Sequence, residues 1–173
     1  MTLQHFIAKL NWRQILMHSI ACWFFIHAFQ TLSYLYDTKL IDIVRQSNGQ
    51  FNDQALGDNK IEASDVAYFL LWTNISGLVG LLVAFIISLT ISIKRHWFWV
   101  NSLFAVLLMY ILYRFELLGW AYLKRIFWYL GQKLNNATGE FLLNGIILLI
   151  IGLFIFFLKL TNQFIEAKKL ASA

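Results

Sequence analysis

Hydrophobic positions along the chain gather into four runs, Ile15 to Tyr36, Val66 to Ile93, Trp97 to Tyr113 and Phe141 to Leu158, none of which contains Pro, Asp, Glu, Lys or Arg. Each run has 17 to 28 residues, a length that crosses a ~30 Å hydrocarbon layer once as a helix. Leu78 to Ile87 and Ile146 to Leu158 are apolar all the way round, whereas a helix on a soluble core keeps a polar outer face. The pattern predicts an all-α integral membrane bundle of four transmembrane helices, spanning about 15–36, 66–93, 97–113 and 141–158, within a single membrane domain over 1–173.

Polar positions are gathered between the runs. The segment 37–65 holds six of the nine acidic residues together with Ser47, Asn48, Gly49 and Gly57, and reads as a hydrophilic loop. Lys94, Arg95 and His96 alone join the second and third runs, which forces an antiparallel helical hairpin. After the third run, Trp120, Leu123, Phe127, Leu130 and Leu134 recur at helical spacing opposite Lys124, Arg125, Gln132 and Lys133. That spacing predicts an interfacial amphipathic helix over about 117–134. The first run carries no small-residue cleavage pattern and reads as a retained span.

Composition sharpens this picture. The chain of 173 residues is 60% hydrophobic and only 13% charged, with mean hydropathy +0.63, while soluble domains are near one-quarter charged. Its net charge of +5 does not indicate nucleic acid, because the cations sit at span ends, where Lys and Arg anchor to headgroups. Cys22 is the single cysteine, so neither a CxxC redox pair nor an internal disulfide is available. Basic residues on the two sides of the membrane tie at seven each. The short, acid-free Lys94 and Arg95 turn tips the orientation towards both termini on the cytoplasmic side of the cell (inner) membrane.

Two sets of residues are candidates for function. Ser76, Gly80, Ala84 and Ser88, continued by Ser92, are spaced four apart and lay a stripe of small side chains along the second span. Such a stripe lets another helix approach closely, either a span of this chain or a partner. The second set is polar: His27, Gln30, Asn74, Arg114, Glu116 and Asn144, with Glu140 beside them, all in the half of the membrane next to the 37–65 loop. Intramembrane polar residues are costly unless they face protein or a cavity. They read as a pocket for a headgroup, small ligand or partner side chain, with Arg114 as anion partner, or as an internal hydrogen-bond cluster that holds the helices in register.

Other chemistry finds little support in the pattern. Haem is a minor alternative, since His18 and His27 are nine apart and fall on opposite faces of one helix, while His18 and His96 near the other membrane face read as solvated. No metal site is expected. Asp37 and Asp65 are explained as helix boundary and cap residues, and the chain contains no HExxH, GxSxG or phosphate loop. The sequence therefore favours a non-enzymatic accessory or interaction subunit that binds a partner membrane protein, a second copy or lipid. A membrane enzyme or small-ligand carrier using the polar half is the alternative.

Overall fold

The computed structural model describes residues 7–46, 57, 60–115 and 137–170. Among the described residues every regular element is helical. α1 spans Trp12–Ser33 and tightens into a 3-10 turn at Tyr34–Asp37; α2 is Thr38–Gln46, α3 Ala63–Lys94, α4 Val100–Arg114, α5 Ala137–Phe157 and α6 Lys159–Leu170.

Three helices are long and apolar enough to cross a membrane, namely α1 with its 3-10 extension, α3 and α5. α4 has 15 residues, which reach only ~22 Å. The sequence counts Trp97, Phe98 and Trp99 in this span, yet the chain spends them on reversing direction. His96 takes a left-handed backbone (φ 53°), and Trp97 donates its backbone N–H back to the Ser92 carbonyl at 2.8 Å.

α1 is the axis of the bundle. It packs along α3, α4 and α5, whereas α4 and α5 barely meet. Glycines set how closely the neighbours approach. A methyl at Gly80 of α3 would lie 2.5 Å from the Phe25 carbonyl oxygen, and one at Gly145 or Gly152 of α5 would lie 2.5 Å from Leu32 or 2.7 Å from the Phe25 ring. In lipid, where burying apolar surface supplies little drive, such close backbone contact is a main source of helix association. The same glycines fix direction: Gly145 meets Leu32 and Gly152 meets Phe25, so α5 runs antiparallel to α1.

The polar segments contain two helices that the sequence reading leaves as loop and tail. Within 37–65, α2 forms because Leu40, Ile41 and Ile43 fall on one side; Leu40 and Ile41 bury against Phe69, Tyr34 and Phe141. Asp37 Oδ1 caps it by accepting from the Leu40 N–H at 3.0 Å. At the other end of the bundle α6 turns away from α5 at Leu158 and buries Thr161, Asn162 and Ile165. The interfacial helix expected over 117–134 lies outside the described residues, as does Glu116.

Candidate functional site

A closely bonded polar cluster among the described residues is at the end of the bundle away from the 37–65 segment, opposite to the half the sequence indicates. Asn11 starts it by capping α1, its side chain accepting from the N–H groups of Arg13 and Gln14. Its own N–H donates to Asn101 Oδ1 at 3.2 Å, and its Nδ2 donates to the Ile165 carbonyl at 3.0 Å. One residue thus ties α1 to α4 and α6. Gln14 then bridges two helices, donating to Ser92 Oγ of α3 at 2.7 Å and accepting from Asn101 Nδ2 of α4 at 2.8 Å.

Ser92 closes the network without a group to spare. Its hydroxyl proton goes to the Ser88 carbonyl at 2.9 Å, so it receives the bonds from Gln14 and, at 2.8 Å, from Ser102. One donor and two acceptor sites are all that a hydroxyl has. Ser19 adds a bond across to the Ala105 carbonyl of α4 at 3.0 Å. Gln14, Ser92, Asn101 and Ser102 are each no more than 1% exposed.

His18 sits one turn deeper than Gln14. The sequence reads it as a solvated interfacial residue, but it is 1% exposed. Its Nδ1 lies 2.6 Å from Ser88 Oγ, and its ring meets Phe156 edge-on (5.2 Å between centroids) and Trp97 at a tilt (6.1 Å). Nε2 has no hydrogen-bond partner among the described residues. The short α3–α4 turn folds Trp97 over this site, which is why His18 is removed from the interface.

The residues singled out from sequence at the loop end are only partly brought together. Gln30 Nε2 donates to Tyr113 Oη at 2.7 Å, and that hydroxyl donates to Asn74 Oδ1 at 3.3 Å, so α1, α4 and α3 are linked there. Asn74 is exposed and returns its Nδ2 to the Leu70 carbonyl of its own helix at 2.9 Å. The His27 ring meets Trp23 edge-on at 5.0 Å. Arg114 is exposed at the end of α4. Asn144 and Glu140 are buried one turn apart on α5, and Asn144 Oδ1 lacks a partner among the described residues.

The small-residue stripe is occupied from within the chain. Gly80, Ala84 and Ser88 are buried against α1, with Ser76 half-buried at one end. Asp65 stands as a cap, its Oδ2 accepting from the Glu62 N–H at 3.0 Å. Among the described residues no three His, Cys, Asp or Glu side chains gather as a metal site would require.

No family model matches the sequence, and neither the curated proteins nor the solved structures searched contain a match.

Proposed function

We propose that the chain is a four-span integral protein of the cell membrane that works as a non-enzymatic accessory subunit, holding a partner membrane protein or lipid against α1. One observation carries this reading. Among the described residues, the face of α1 turned away from the α3 contacts of Gln14 and His18 is left open: Trp12, Leu16 and Ile20 follow one another every four residues along it and are 67%, 53% and 38% exposed. An apolar strip along the central helix of a bundle is a natural seat for a further helix or an acyl chain.

Two other features support it. Small residues that could receive a partner on α3 already receive α1, so a partner has to use another surface. Although short, α4 runs beside α1 from Asn101 opposite Gln14 to Tyr113 opposite Gln30, which supports counting it as the fourth span. The reading needs no cofactor.

Photo-crosslinking side chains placed in cells at Leu16 and Ile20, with Leu82 and Ile86 on the outer face of α3 as controls, test the proposal. A discrete protein adduct or a bound lipid species seen from α1 alone is expected. Equal, unspecific adducts from both helices would refute it. A second reading, a small-ligand pocket at the loop end, draws on buried Asn144, whose Oδ1 has no partner among the described residues. Loss of cellular activity on substituting Asn144, Gln30 or Asn74 by Ala, with Leu16 variants unaffected, would favour that pocket.

A further inference from the structure

The end of the bundle that carries the buried Gln14 network is also where the described cations collect. Lys9 precedes α1 and Arg13 lies in its first turn; Lys94 and Arg95 form the α3–α4 turn, and Lys159 opens α6. Glu166 is the one acidic residue described at this end. It is engaged by Arg95 at 3.4 Å. The opposite end sets Lys39, Arg45, Lys60 and Arg114 against Asp37, Asp42, Glu62, Asp65 and Glu140. Among the described residues the two ends thus differ in sign.

The cationic end also has the shape of an interfacial surface. α6 is fixed across it by Asn11, which donates to the Ile165 carbonyl, and by Arg13, whose guanidinium donates to the Phe164 carbonyl at 3.2 Å and lies over the Phe164 ring. With Thr161, Asn162 and Ile165 turned inwards, α6 presents Leu160 (70% exposed) and Phe164 one turn apart, next to exposed Phe157 of α5. Trp12 and Trp99 are exposed at the same end. Amphipathic rings and a helix with apolar and basic sides are what settle at headgroup level.

We infer that this end is a docking surface for anionic phospholipid headgroups, with Lys9, Lys94 and Lys159 as the cations that meet the phosphates while Leu160 and Phe164 dip into the acyl boundary. The inference rests on the membrane-spanning reading above. Charge complementarity commits the occupant. A zwitterionic leaflet offers no net negative charge to balance five cations and one paired acid, whereas an anionic leaflet attracts each juxtamembrane Lys or Arg separately.

The full chain in nanodiscs tests it. Wild type should melt higher in an equimolar mixture of phosphatidylglycerol and phosphatidylcholine than in phosphatidylcholine alone, and salt should erode the difference. The triple variant Lys9→Gln, Lys94→Gln, Lys159→Gln should melt like wild type in phosphatidylcholine, showing an intact fold, but lose most of the shift. Its apparent affinity for phosphatidylglycerol in mixed micelles should fall roughly fivefold per cation removed. Lys39→Gln with Lys60→Gln should keep the full shift. An undiminished shift in the triple variant, no shift in wild type, or the same shift produced by inorganic phosphate would overturn the inference. Failure of wild type to enter phosphatidylcholine nanodiscs would overturn the membrane reading with it.

Discussion

The two ends of the bundle solve the same problem differently. At the α6 end, Gln14, Asn101, Ser92 and Ser102 bind one another across three helices, all at most 1% exposed. At the loop end, Gln30 and Tyr113 meet an Asn74 that is exposed and half committed to its own helix. The two α3 glycines follow the same division. Gly80, towards the closed end, faces the Phe25 backbone, while Gly77, one turn nearer the loop, faces the movable ends of Gln30 and Tyr113 at 3.1 to 3.2 Å. The difference teaches that register is set at the α6 end, and that the loop end has slack to adapt.

The largest effect should come from the glycines. Gly80→Ala places a methyl 2.5 Å from a carbonyl oxygen that cannot rotate away, so α3 must shift off α1 at a cost of about 2 to 3 kcal/mol. Gly77→Ala asks only two side chains to move and should cost below ~1 kcal/mol. Unfolding titrations in mixed micelles measure both. Equal costs would mean that the two ends are packed alike.

Next come the polar links. Gln14→Leu or Asn101→Leu leaves a buried partner unsatisfied and should cost about 1 to 2 kcal/mol. Gln30→Leu should cost less than ~1 kcal/mol, because water or headgroups reach Asn74 and Tyr113. A double-mutant cycle on Gln14 and Asn101 should return a larger coupling than one on Gln30 and Tyr113, the directly bonded pair of the loop end. If both pairs couple equally, the contrast between the ends is lost.

His18 sharpens the point, because burial alone does not set the price of a polar side chain. Its exposure equals that of Gln14, but among the described residues it makes one hydrogen bond, to Ser88, and its Nε2 has no partner. Replacing it by an apolar group removes a desolvated nitrogen together with that bond, so His18→Leu should change stability by less than ~1 kcal/mol in either direction. A loss as large as that for Gln14→Leu, in the same titration, would show that Nε2 is served by a bound water or ligand.

What could be read from sequence follows the range of the interaction. The apolar runs announce α1, α3 and α5 because twenty consecutive side chains all report one environment. Gln30 and Asn74 are visible as polar residues inside such runs. The Gln14 network is hidden for three separate reasons. Gln14 stands one residue before the run that opens at Ile15. Ser88 and Ser92 look like spacers in a small-residue stripe, when they are also hydroxyl partners. His18 looks interfacial until Trp97, 79 positions later, is folded over it. α2 and α6 are missed because short helices with one apolar side announce themselves only through what they cover, Phe69 for α2 and the start of α1 for α6.

The smallest effect tests whether the surface of the closed end contributes to its rigidity. Arg95 and Glu166 are 3.4 Å apart, with side chains 39% and 47% exposed, and Arg95 also lies over the Trp97 ring. Exposed pairs of this kind contribute little after screening and side-chain ordering, so Glu166→Gln should cost no more than ~0.5 kcal/mol. Arg95→Gln loses the pair and the ring contact together and should cost more, by up to ~1 kcal/mol. The difference between the two variants isolates what the cation contributes to holding Trp97 over His18. If Glu166→Gln proves the costlier change, α6 is held by its charges, and the buried bonds from Asn11 and Gln14 are not what closes this end.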